Sequence, residues 1–122
     1  MKQLLLVGIG GFAGSVLRYI VHIWSQEWIE QFPSGTLIVN IVGSLLIGLL
    51  VGFSIKPDQS LYAIWVIGFC GGFTTFSTFA MDGLKLIKDE MWMSFISYAG
   101  ISLVGGLLAV IVGLWIGSKL TN

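Results

Sequence analysis

An all-helical integral membrane protein with four spanning helices is the fold class this sequence predicts, and three observations predict it. Composition is the first: 56% of the 122 residues are hydrophobic and 10% are charged, with a mean hydropathy of +0.95. Soluble domains carry about 25% charged residues. Segmentation is the second. Four apolar runs, 4–24, 35–55, 61–81 and 91–117, each hold at least 21 residues, and about 20 helical residues cross the hydrocarbon core. The third is economy: the connections leave almost nothing for a soluble domain, so one transmembrane domain over residues 1–122 is expected.

Charge placement narrows the class further. With four spans, Lys2, Lys56 and Lys119 fall on one side, and Arg18, Lys85 and Lys88 on the other. Orientation follows a bias in such charges, and three against three is no bias. Two readings stand: a chain that inserts both ways and pairs with an oppositely oriented copy about an axis in the membrane plane, or a small protein oriented by other means. A net charge of zero argues against nucleic acid as a partner. The single Cys70 excludes an intrachain disulfide and a Cys-based metal cluster, and reads as a small buried hydrophobe.

The first span begins with Met1-Lys2 and an apolar run reaching Ala13-Gly14-Ser15, an imitation of a secretory signal. The run continues past Arg18 to Trp24, which favours a span. Gly10 and Gly14 form a small-xxx-small pair that lets another helix come close. Arg18 is costly at membrane depth, about 2.5–3.5 kcal/mol at a helix centre. It reads either as an interfacial anchor snorkelling with Tyr19 and His22 or as a fixed positive charge at a pore mouth. His22, near Trp24 and Trp28, reads as an interfacial residue, because no second metal ligand accompanies it.

Residues 25–34 form the first connection, with Glu27 and Glu30 on a short interfacial turn, and Pro33-Ser34 supplies helix-start chemistry. In the second span Thr36, Asn40 and Ser44 recur every four residues, one polar stripe on an aliphatic helix. An amide in hydrocarbon needs partners, so Asn40 is either interhelical glue worth about 1 kcal/mol or a hydrogen-bond donor to an anion. Pro57 ends this helix near Ile55, and the short Lys56–Ser60 link makes spans two and three antiparallel neighbours.

The third span carries Gly71-Gly72-Phe73-Thr74-Thr75-Phe76-Ser77-Thr78-Phe79. Two glycines weaken a helix and four hydroxyls seek partners, and irregular polar backbone at membrane depth survives only inside protein or around a wet cavity. A break near the middle of this helix, at Gly71-Gly72, is expected to free carbonyl oxygens that suit a hard cation such as Na⁺. Two copies crossing there would form one oxygen cage. Phe76 and Phe79, three residues apart, share a face; they either pack or turn positive ring edges towards a desolvated anion. Asp82-Gly83 ends the span, and residues 84–90 form an interfacial linker. In the fourth span Ser94, Tyr98 and Ser102 make a further hydroxyl stripe. Polar stripes on spans two, three and four suggest a path lined by hydroxyls and an amide, with no carboxylate in it.

Three stretches carry a resemblance. Gly10–Tyr19, Gly35–Gly43 and the long Gly68–Phe79 motif resemble the CrcB/Fluc fluoride channels, in detail over three spans and in length and span number over the whole chain. The resemblance implies an antiparallel, dual-topology homodimer with two fluoride pores and a structural Na⁺ at the dimer centre. It implies that Asn40 binds fluoride through its amide, that Phe76 and Phe79 supply ring edges, and that Thr36, Ser77, Thr78, Tyr98 and Ser102 belong to the pore's polar track. Arg18 would form the positive vestibule, and Gly71 and Thr74 would give the Na⁺-binding carbonyls. One turn beyond Ser102, where some relatives carry a hydroxyl, this chain has Gly106. The implied role is passive fluoride export across the inner membrane of a prokaryotic-type cell, with no enzymatic step: HF diffuses in from acid surroundings, dissociates, and F⁻ leaves through the channel.

Three other readings are weighed against it. A four-span proton-coupled multidrug exporter needs an embedded carboxylate, whereas the six acidic residues, Glu27, Glu30, Asp58, Asp82, Asp89 and Glu90, are expected in loops or at span ends. A non-conducting subunit of a heterodimeric channel would not need Asn40, Phe76 and Phe79 intact. A membrane enzyme lacks a nucleophile–base pair at bilayer depth.

Overall fold

The computed structural model describes residues 1–26, 31–53 and 58–122. They form helices α1 (Lys2–Ser25), α2 (Ser34–Gly52), α3 (residues 59–73), α4 (Phe76–Lys88) and α5 (Trp92–Thr121). The described residues contain no strand. Taking α3 and α4 together as Gln59–Lys88, four helical stretches are long and apolar enough to cross a membrane. The expected turn at Glu27 and Glu30, and the expected helix end at Ile55 and Pro57, lie outside the described residues.

Glycine decides how the helices meet. α1 packs along α3. A Cβ added at Gly10 would collide with the Ile64 carbonyl, and one at Gly14 with the Phe69 carbonyl; from the opposite helix, a Cβ at Gly72 would lie 2.6 Å from the Gly11 carbonyl. The two backbones therefore touch, as the small-xxx-small spacing anticipates. α2 makes a second such seam with the latter part of α5, where Gly48 faces the Val110 carbonyl and Gly113 faces Leu45. Outward faces are apolar and exposed, as lipid-facing helices are: Leu4, Ile9, Phe12, Leu107 and Ile111 are examples.

Two features depart from regular α-helix. Residues Tyr62–Cys70 in α3 and Ile101–Gly105 in α5 are π-helical, a widened hydrogen-bond register that marks strained or functional segments. Between α3 and α4, Thr74 (φ −86°, ψ 159°) and Thr75 (φ −152°, ψ 120°) are extended. The interruption was expected at Gly71-Gly72, yet both are helical. Gly72 has a packing role against α1, while the backbone of Thr75 is drawn off by a side chain described below.

Helix ends also differ from expectation. The third span does not end at Asp82-Gly83: α4 runs on to Lys88, with Lys85 and Lys88 in its last turn, where cations favour the helix dipole. Residues 84–88 are thus helix and not linker. Ser34 begins α2 without capping it; its hydroxyl instead donates to the Ser25 carbonyl at 3.1 Å, tying the end of α1 to the start of α2.

Candidate functional site

The polar residues of the middle of the chain gather in two adjoining groups. The first is built on Asn40. Its Nδ2 donates to the Thr75 carbonyl at 3.0 Å, and its Oδ1 accepts from the Thr75 N–H at 2.8 Å. The amide thus gives the Thr75 N–H the acceptor that a continuous helix would have supplied, and adds a second donor to the carbonyl with which Thr75 begins α4. A carboxamide has two N–H bonds; the second finds no partner among the described residues, and Asn40 lines a cavity of about 550 Å³ together with Ser44, Thr74, Thr75 and Phe76.

The interruption is capped from within. Thr75 Oγ1 accepts from the Thr78 N–H at 3.2 Å, which starts α4, and donates to Thr78 Oγ1 at 3.0 Å. Ser77 Oγ lies 3.4 Å from the same oxygen and is exposed. Upstream, both the N–H and the hydroxyl of Thr74 return to the Cys70 carbonyl, at 3.0 and 2.9 Å. The Thr75 N–H, which an unbroken helix would direct at the Gly71 carbonyl, goes to Asn40 instead, so the Gly71 oxygen is released from that bond. Gly71 and Thr74 both line the cavity, and a Cβ at Gly71 would meet nothing within 4 Å. Carbonyl oxygens at an open position fit a hard alkali cation. A softer metal has no such set: the described residues contain no group of three His, Cys, Asp or Glu side chains.

The second group surrounds Asp82. Thr36 Oγ1 donates to Asp82 Oδ2 at 2.7 Å, and the Tyr98 hydroxyl donates to the same oxygen at 3.2 Å. Thr36 and Tyr98 are fully buried, at 2% and 0% exposure, so the carboxylate is tied to the interior of the span. This corrects the expectation of a polar track without a carboxylate. The charges of Lys85, Lys88, Asp89 and Glu90 after Asp82 suggest a span end; the helix instead continues through Lys85 to Lys88, and α4 turns Asp82 inward to α2 and α5. His22, near the end of α1, also belongs here, with Nε2 3.1 Å from Thr36 Oγ1. The i, i+4 spacing of Arg18 and His22 was the one available signal, and Nδ1 indeed lies 2.9 Å from the Arg18 carbonyl.

Phe79 joins the two groups. Its ring centroid lies 5.8 Å from that of Phe76, at 39°, and 5.1 Å from that of Tyr98, at 36°. Phe32 meets Tyr98 edge-on at 5.8 Å and 84°. Phe76 is 80% exposed in the single chain and stands on the cavity wall beside Asn40. On α5, Ser102 Oγ is buried with no hydrogen-bond partner among the described residues. At Gly106 an added Cβ would sit 3.5 Å from Ser44 Oγ, so a hydroxyl from α2 stands where α5 lacks one. Arg18 is half-buried on α1, one turn before His22.

Four apolar spanning helices with an amide, hydroxyls and one carboxylate gathered between them define a small multi-pass membrane protein. Residues 5–114 match the family described as CrcB-like protein, Camphor Resistance (CrcB), and the chain belongs to that family. Among its relatives, the fluoride-specific ion channel FluC of Bacteroides fragilis is 45% identical over 98% of each chain. The protein of that name from Phocaeicola vulgatus is 43% identical over 94% of this chain and 98% of its own. The one from Pseudomonas syringae pv. syringae is 42% identical over 100% of this chain and 98% of its own. Each relative bears the name of an ion channel and not of an enzyme.

Proposed function

We propose that this chain is a fluoride-selective channel that lets F⁻ leave the cell passively across a bacterial inner membrane and so relieves fluoride toxicity. The observation that carries it is the Asn40 amide: one face is fixed on Thr75, and its remaining N–H stands at a cavity whose wall includes Phe76. Fluoride is small and strongly hydrated, and stripping its water requires replacement donors held in place beforehand. Asn40, Ser77, Thr78 and Ser102 are the donors, Thr36 and Tyr98 belong to the polar track through the protons they give Asp82, and Phe76 and Phe79 offer ring edges, the positive part of the quadrupole. Arg18 draws anions towards the mouth. The relatives named as fluoride channels, alike over nearly the whole chain, support the same substrate.

The working unit is an antiparallel pair of copies. Three positive charges on each side permit both insertions, and the large exposure of Phe76 beside an open cavity suits a face that a second copy completes. In that pair the discontinuous third span brings the Gly71 and Thr74 carbonyls of both copies to one place, and a structural Na⁺ there would neutralise their converging dipoles. A single membrane domain over residues 1–122 is enough for this.

Asp82 gives a proton-coupled exporter its one favourable observation, an inward carboxylate in a spanning helix. Family membership favours the channel. Efflux from liposomes holding the purified protein separates them. The channel passes fluoride far faster than chloride without a proton gradient; chloride efflux at a comparable rate, or fluoride efflux only under a proton gradient, overturns the assignment.

A further inference from the structure

His22 has no part in the roles assigned above, yet its surroundings are specific. It is the one histidine of the chain, and both its ring nitrogens face acceptors. Nδ1 lies 2.9 Å from the Arg18 carbonyl, which has no proton to give. Nε2 lies 3.1 Å from Thr36 Oγ1, whose own proton goes to Asp82 Oδ2 at 2.7 Å. A neutral imidazole donates at one nitrogen; only the imidazolium donates at both. With Asp82 ionised, the array in which each of these contacts carries a proton is imidazolium, hydroxyl, carboxylate and the phenol of Tyr98, contributed by α1, α2, α4 and α5 in turn.

The array has space around it. His22, Thr36 and Asp82 line a cavity of about 180 Å³ at the start of α2, and Asp82, Lys85 and Asp89 line an adjoining one of about 240 Å³. Among the described residues, the charged and titratable groups around His22 are Arg18 on its own helix, Asp82 from α4 with Lys85 and Asp89 beyond it, and Tyr98 from α5, while α2 contributes the hydroxyls of Ser34 and Thr36.

We propose that His22 is a positioning residue for conduction: protonated, it fixes Thr36 between itself and Asp82 and offsets the carboxylate's negative charge beside the anion path. Losing the proton removes one of the ring's two hydrogen bonds and leaves that charge uncompensated, one side chain away from Phe79. Fluoride throughput then falls as pH rises through the range in which histidine discharges. This rests on the fluoride-channel reading and adds proton sensitivity to it, with conduction greatest under the acid conditions that drive HF into a cell.

The test uses the full chain in liposomes, with the same pH on both sides and the leak of protein-free vesicles subtracted, because HF crosses bare lipid. Wild-type fluoride efflux is expected to fall roughly twofold to tenfold between about pH 5 and pH 8, and His22→Gln to give a flat profile at the wild-type alkaline rate. A flat wild-type profile, or a fall that persists in His22→Gln, overturns the proposal. Wild type without fluoride efflux at any pH instead defeats the channel reading itself. Nitrogen NMR of the single labelled imidazole needs neither flux nor the variant. Both nitrogens protonated at the acid end, with a transition that moves in Thr36→Val, support the array; a ring that stays one neutral tautomer over the whole range overturns it.

Discussion

The Asn40 side chain holds both backbone groups of Thr75, the N–H at 2.8 Å and the carbonyl at 3.0 Å, and it is the only amide side chain in the second span. Removing it in Asn40→Ala orphans the backbone N–H of a residue that is 7% exposed and takes one of two donors from its carbonyl. Each unsatisfied group costs about 1–3 kcal/mol. Asn40→Ala is expected to lower the melting temperature in detergent and to abolish fluoride efflux. Wild-type stability and flux in the variant would show that Thr75 is held extended by something else.

Phe79 touches Phe76 on one side and Tyr98 on the other. Phe79→Ile keeps the bulk and removes the ring edge, so fluoride flux should drop while the assembled species keeps its size in chromatography. Unchanged flux leaves packing as the ring's role.

Gly14 and Gly8 lie on the same helix with opposite surroundings. A Cβ at Gly14 collides with the backbone at Phe69, whereas one at Gly8 meets nothing within 4 Å. Gly14→Ala should cost about 1–3 kcal/mol through overpacking, and Gly8→Ala should be neutral or slightly stabilising, since alanine favours helix. Melting curves of the two variants side by side decide it. Equal effects would mean α1 and α3 are not in backbone contact.

Charge balance gives a prediction about orientation. Two lysines appended after Asn122 would make one side five positive charges to three. A single orientation and reduced fluoride efflux are expected, with recovery when a copy biased the other way is co-expressed. Efflux at the wild-type level from singly oriented protein would remove the antiparallel pair.

Much of this was legible in the sequence because the bilayer enforces it. Span length, the glycine spacing of α1 and the stripe of Thr36, Asn40 and Ser44 are local patterns, and for the stripe the sequence left open only whether Asn40 serves as interhelical glue or as a donor to an anion. What was not legible depends on contacts distant along the chain. The interruption lies at Thr74-Thr75 and not at the glycines because Asn40, 35 residues away, captures the Thr75 backbone, while Gly72 is required small by α1. Asp82 looked terminal because four charged residues follow it; three turns of sequence cannot say which way a carboxylate points when its partners, Thr36 and Tyr98, sit on other helices. The same distance hid His22.

Thr36 and Asn40 are one turn apart on α2, one holding Asp82 and the other Thr75. The residue that starts α4 and the middle of α4 are thus hung from two neighbouring pegs on a single rod. A screw-like slip of that rod would pull both attachments at once, so the acid cluster and the cavity wall cannot be retuned separately by evolution without first breaking a peg.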